Sequence, residues 1–266
     1  MVKEKLLLKV NKDIIETIKL ELCTMKKMKG IFWIVLIAYL IIVFMFFSSF
    51  QVLMTDMNKS AFFFFQQTAI CLLSLVGFVP IMVGSKMLWD DIYTDMLQVK
   101  TSIYGRNLVL LSKIISSIFF QFVFSFIPCM IALIYDWHYR NKGDTISIIK
   151  IFIIIQFFYN IWGFISMAIT YLCKSSFFAT GILVCIYYLE AYFAQYIPVN
   201  IIKWFPMWNQ KSILYQFFSK PEGMIAIIQK EYNSEKDAYI IILGLFFILF
   251  FSFILQFLKK DIKEKS

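Results

Sequence analysis

The chain has 266 residues, 61% of them hydrophobic, 19% aromatic and 16% charged, with a formal net charge of +9. A soluble domain runs at roughly 45–50% apolar and about 25% charged residues, so the composition excludes a single water-facing globule. It excludes disorder on the same ground. A basic excess in such a chain reports membrane orientation rather than nucleic-acid binding.

The first predicted element precedes any long apolar run. Leu7, Val10, Ile14, Ile18, Leu22 and Met25 recur at steps of three and four, lysines and carboxylates fill the positions between, and Asp13 with Glu16 has capping-box spacing. Residues 1–30 therefore read as an amphipathic helix lying on the cytoplasmic leaflet beside Lys26, Lys27 and Lys29. It serves either to anchor the entry of the first span or to brace against a partner protein.

A spanning helix needs about 20 mostly apolar residues, because lipid gives the backbone no hydrogen-bond partner. Six stretches meet that need: Ile31–Phe50, Ala61–Gly84, Ile114–Tyr135, Ile148–Leu172, Phe177–Ile197 and Ala238–Leu258. The expected architecture is all-α: a six-span domain over 31–258, the interfacial helix before it and a tail over 259–266. Strands are excluded by length and lack of alternation. Only residues 173–176 separate the fourth and fifth runs, which predicts a tight helical hairpin. With the N-terminus inside, seventeen Lys/Arg fall on the inner side against nine outside, so the positive-inside rule places both ends in the cytoplasm.

The longest inner connection, Ser85 to Lys113, predicts a short helix over Met87–Val99 with Leu88, Ile92, Met96 and Val99 on one face. Asp90, Asp91 and Asp95 share the remaining surface, and Thr101–Gly105 ends the helix before Arg106 opens the third span. By itself this segment reads either as a solvated linker or as a point of purchase for a cytosolic partner. The outer segment from Pro198 to Asp237 carries Trp204, Pro206, Trp208, Phe217, Phe218 and the apolar run Ile225–Ile228. It predicts one or two short helices, partly re-entrant or lying on the outer leaflet, acting as a gate over a substrate path or as an aromatic anchor. Trp137, His138 and Tyr139 belong to the same belt.

Glu190 falls in the middle third of the fifth run, beside Tyr187 and Tyr188. An acidic side chain at that depth costs about 2.5–3.5 kcal/mol on insertion scales, so it faces the bundle interior or a wet cavity and is a candidate for a substrate path or gate. Tyr187 is grouped with it, as are Trp204 and Trp208. Pro80 and Pro128 predict kinks. Ser112 and Ser116 have small-xxx-small spacing. Cys23, Cys71, Cys129, Cys173 and Cys185 show no paired spacing and read as small buried hydrophobes, neither disulfides nor a metal site.

No G-x-x-x-x-G-K-[ST] occurs, so the chain does not cradle ATP by that route. His138 is its one histidine, which excludes His-pair metal sites and H-E-x-x-H hydrolases. No dinucleotide fingerprint, nucleic-acid patch or internal repeat is evident.

This layout resembles the type-two ABC export permeases, whose members combine an interfacial helix, six spans, a coupling helix between spans two and three and a longer outer segment between spans five and six. In that family the coupling segment often carries an acidic residue, Gly-Thr, a Leu, a Pro, then Ser-Arg and a Lys seven residues beyond the Arg. This chain offers Asp90 or Asp91, Thr94, Leu97, Arg106 and Lys113, with the Arg-to-Lys spacing kept. It departs at Tyr93 for the Gly, at Ser102 or Ile103 for the Pro and at Gly105 for the Ser. The resemblance implies a permease subunit, not itself an enzyme, of the antimicrobial-peptide or bacteriocin export or immunity kind. It further implies that Asp90, Asp91, Thr94, Asp95, Leu97, Arg106 and Lys113 couple the chain to a cytosolic ABC ATPase. ATP and magnesium would be bound by that partner, this chain needing no cofactor, and a second permease subunit would complete the pair. The expected cargo is amphipathic or hydrophobic: an antimicrobial peptide first, then a drug or lipid-like molecule. The alternatives are a secondary transporter or channel working without an ATPase, and a non-transporting scaffold or sensor.

Overall fold

Long apolar runs become helices because each backbone N–H must find its carbonyl within the same segment when water is excluded. The computed structural model, which describes residues 2–55, 63–140, 145–193, 196–215 and 234–259, is all-α among those residues. The helices are α1 (Val2–Lys27), α2 (Lys29–Thr55), α3 (Phe63–Ile70), α4 (Phe78–Tyr93), α5 (Met96–Tyr104), α6 (Arg106–Arg140), α7 (Thr145–Cys173), α8 (Ser176–Phe193), α9 (Val199–Ile202), α10 (Pro206–Tyr215) and α11 (Glu235–Lys259). A π-helical turn over Cys71–Leu75 joins α3 to α4.

Four of these helices are long and apolar enough to cross a bilayer, in α2, α6, α7 and α11, and α3 with α4 adds a fifth if the bent pair is one span. The chain is therefore a polytopic, membrane-embedded helical protein. The expected fifth run differs at its end. α8 is described as far as Phe193, the chain turns at Tyr196 and Ile197 ahead of Pro198, and among the described residues Ser176–Glu190 is a shorter apolar helix. The hairpin before it forms as expected: Lys174 takes a left-handed conformation at φ 50°, and Ser175 Oγ accepts the Phe178 N–H at 3.2 Å to start α8.

α4 and α7 form the tightest contact of the bundle. A methyl group on Gly84 would lie 2.3 Å from the Gly163 carbonyl oxygen, so only glycine lets the two backbones approach this closely. Ser85, Thr170 and Ser166 tie the same seam: Thr170 Oγ1 donates to Ser85 Oγ at 2.9 Å, and Ser166 Oγ donates to the Ile81 carbonyl. α8 and α11 both pack on α7, and α10 packs on α8 and α11. Ser112 and Ser116 are buried as their spacing suggests.

Two local expectations are corrected. Asp13 caps nothing: α1 is continuous through it, and its carbonyl takes the Thr17 hydroxyl one turn on. The cysteines are not uniformly buried; Cys71 and Cys129 are, whereas Cys23, Cys173 and Cys185 are exposed on this single chain. The placements of Leu7, Val10, Tyr139, Phe217, Phe218, the 225–228 run and the 260–266 end of the tail lie outside the described residues or side chains.

Candidate functional site

Two polar assemblies stand out in the apolar bundle, one at the end that carries α5, the other around the break in α3–α4.

The first begins with an elbow. The helix expected over Met87–Val99 divides in two, because Thr94 Oγ1 bonds back to the Asp90 carbonyl at 2.6 Å and Asp95 turns left-handed at φ 56°. α5 then continues through Thr101–Tyr104, beyond its expected end, and stops at Gly105, whose φ of 81° favours glycine. α5 has two faces. Leu97 and Lys100 are buried, whereas Met96, Val99 and Ile103 are exposed, as is Tyr93 just before the elbow.

Lys100 reaches a buried cluster of four charges. Its Nζ lies 2.8 Å from Glu21 Oε1 of α1 and 2.7 Å from Asp91 Oδ2 of α4. Lys113 Nζ of α6 lies 2.5 Å from the same Asp91 oxygen, 3.3 Å from Glu21 Oε2 and 3.1 Å from the Met87 carbonyl. All four residues are 1–2% exposed, and their charges cancel. Burial by itself would lower the Lys100 pKa; the Glu21 charge, the hydrogen bonds to Asp91 and Glu21 and the Asp91 charge outweigh it and raise the value. The cluster locks α1, α4, α5 and α6 into one unit.

The residues assigned to coupling thus separate by environment. Asp91 and Lys113 meet in the cluster, and Leu97 packs beneath α5. Asp90 pairs with Lys86 at 2.8 Å on the surface, and Asp95 is exposed at the elbow. Arg106 Nη1 donates to the Leu258 carbonyl at 2.9 Å, capping the C-terminal end of α11.

The second assembly surrounds the π turn. A proline at residue 80 cannot donate to the Val76 carbonyl and its ring crowds that oxygen, so α4 starts just before it and the α3–α4 pair bends by 50°. A widened turn leaves carbonyls without helical partners, and tyrosines supply donors. Tyr159 Oη donates to the Leu72 carbonyl at 2.9 Å, Tyr188 Oη to that of Leu75 at 2.6 Å, and Tyr187 Oη to that of Leu73. Gln210 of α10 joins them: Nε2 lies 3.2 Å from both the Leu73 carbonyl and Tyr187 Oη, while Oε1 accepts the Trp162 indole N–H at 2.9 Å. The Tyr187 hydroxyl fills the space a Gly77 side chain would occupy, 2.0 Å from an ideal Cβ there.

Glu190 is buried beside this assembly, and its Oε1 accepts the Trp208 backbone N–H at 2.6 Å in the first turn of α10. Asp136 does the same at the start of α3, taking the N–H groups of Phe64 and Phe65 at 3.0 and 2.8 Å. Trp208 is buried and Trp204 exposed. Glu190, Trp204 and Gln210 line a half-enclosed cavity of about 630 Å³ between α7, α8, α10 and α11.

Sequence reasoning missed Glu21, Lys100, Asp136, Gln210, Tyr159 and Tyr188 as members of these assemblies. A signal existed for Glu21, which shares the helical stripe of Ile14, Ile18, Leu22 and Met25, so a charge sits on the buried face. Lys100 follows Leu97 by three residues in the same way. Nothing in the sequence distinguishes Tyr159 and Tyr188 from ordinary core aromatics, whereas Tyr187 is already grouped with Glu190. No protein family, curated protein or solved structure matches the chain.

Proposed function

We propose that this chain is the membrane-spanning permease subunit of an ATP-driven ABC exporter, crossing the bilayer six times with both ends in the cytoplasm. A separate ATPase would supply the energy, and a second permease subunit, a copy or a different chain, would complete the path. The cargo is amphipathic or hydrophobic, with an antimicrobial peptide preferred.

The observation that supports this best is α5. It is a short helix with an exposed apolar face, Met96, Val99 and Ile103, held to the bundle by the buried Glu21–Asp91–Lys100–Lys113 cluster. A push on that face would be passed to α1, α4 and α6 together rather than dissipated in a loose loop. Exposed apolar residues at helical spacing are what a docking partner covers. The test is co-purification of ATP-binding proteins with the tagged full-length chain from its own membranes. Val99→Asp with Ile103→Asp is expected to abolish recovery of the ATPase while membrane insertion persists. Undiminished recovery overturns the reading.

A further inference from the structure

An unbroken α-helix through the α3–α4 junction would pair the carbonyls of Leu72, Leu73 and Leu75 with the N–H groups of Val76, Gly77 and Val79. In the structure those carbonyls go to side chains of other helices. Tyr159 of α7 holds Leu72, Tyr188 of α8 holds Leu75, and Tyr187 of α8 with Gln210 of α10 holds Leu73. The backbone donors are displaced: Val76 N–H bonds to the Cys71 carbonyl at 3.0 Å, and Val79 N–H to that of Val76 at 3.0 Å. A carbonyl oxygen has two lone pairs. At Leu73 the tyrosine and the glutamine take both, which leaves none for Gly77.

Bent and straight forms of this segment are thereby closely matched. Bending gives up helical bonds, and a carbonyl without a donor is costly in apolar surroundings, so the bent form needs its side-chain donors. Straightening restores the backbone bonds but strands the Val76 carbonyl, because Pro80 has no N–H to give it. We propose that the π turn is a two-state hinge in the α3–α4 pair and that Gln210 is its latch, the donor through which α10 holds the bent form. Gln210 is buried, and its Oε1 is fixed by the Trp162 indole N–H at 2.9 Å, so Nε2 is aimed at the turn from a set position. Drawing α10 away from the bundle withdraws that donor and frees the Leu73 carbonyl for Gly77. In the other direction, α4 runs on from the hinge to Asp91 of the buried charge cluster, so one helix links the bend to the unit that holds α5. The hinge goes beyond the export reading, and its test contains no ATPase.

The experiment is a spin-label distance across the hinge, measured by double electron–electron resonance on full-length protein in phosphatidylcholine nanodiscs. Labels are attached through Gln67→Cys on α3 and Phe178→Cys on α8, in a chain whose exposed Cys23, Cys173 and Cys185 are changed to Ser. α3 has 8 residues, a length of about 12 Å, so closing the 50° bend carries its far end through about 10 Å. The labelled parent is expected to give one main distance, any second population staying below about 10%. Gln210→Met keeps the side-chain length and removes the donor. It is expected to raise a second distance, shifted by at least about 5 Å, to about half of the molecules. Pro80→Ala supplies an N–H to the Val76 carbonyl and is expected to populate the same second distance by an independent route, its elution in gel filtration matching the parent. Labels on Phe178→Cys and Ile248→Cys, both on helices packed against α7, form the control pair, whose distance is expected to hold in both variants. An unchanged single distance across the hinge in either variant overturns the proposal. So do two different second distances, or a control pair that broadens, because general loosening then accounts for the change.

Discussion

Lys100 Nζ lies 2.8 Å from Glu21 Oε1, so residues 79 positions apart in sequence join α1 to α5 through one buried ion pair. Asp91 and Lys113 complete the cluster, and the logic of buried charge governs what mutation does to it. Removing one partner strands a charge in a low-dielectric site, at a cost of about 3–5 kcal/mol; removing a matched pair leaves a balanced remainder. Lys113→Met is therefore expected to destabilise by that amount, whereas Glu21→Gln combined with Lys100→Met costs clearly less than the sum of the two singles. Thermal unfolding in detergent, read as a double-mutant cycle, checks this.

The pH response of that cluster has a definite sign. Lys100 has its pKa raised in the folded chain above its unfolded value of about 10.4. Its contribution is thus fully present below pH about 10.4 and is lost as pH rises through the higher folded value. The difference in melting temperature between wild type and Lys100→Met is expected to stay constant from pH 7 to 9 and to shrink above pH about 10.5. A difference that collapses already between pH 7 and 9 contradicts the assignment.

The seam between α4 and α7 leaves no room for a side chain at Gly84, where a Cβ meets backbone rather than a movable side chain. Gly84→Ala is expected to cost about 1–3 kcal/mol as the helices are forced apart. Gly181 and Gly244 have nothing within 4 Å of the same position, so their alanine variants are expected to be neutral or slightly stabilising. Unfolding midpoints of the three variants give the comparison.

At the π turn, Tyr187→Phe removes the donor to the Leu73 carbonyl and the acceptor for Gln210, an expected loss of about 1–3 kcal/mol. Gly77→Ala is expected to cost more, because it displaces the whole Tyr187 ring, whose Cζ lies 2.1 Å from the new atom. Hydrogen exchange at the amides around the turn should quicken in both variants, and more in the second.

Much of this fold is legible without coordinates, and the reason is the solvent. Lipid obliges any long apolar run to satisfy its own backbone, so α2, α6, α7 and α11 follow from the sequence in place, although α2 and α6 run several residues beyond their apolar stretches. The amphipathic stripe of α1 and the tight α7–α8 turn follow from periodicity and spacing in the same way. The break before Pro80 is partly legible, since proline forbids the bond that would keep the helix straight.

What a sequence cannot carry is which polar groups meet across helices. Glu190 read as a charge at bilayer depth, and its position next to the first turn of α10 explains how it is accommodated. Asp91 and Lys113 read as surface contacts on a coupling segment, yet they lie inside, neutralised by Glu21 and Lys100 from helices whose approach no local pattern encodes. Local sequence sets helix identity because those hydrogen bonds close within four residues. Charge pairing, the tyrosine donors at the π turn and the cavity between α7, α8, α10 and α11 depend on distances between segments far apart in the chain, and packing alone fixes those.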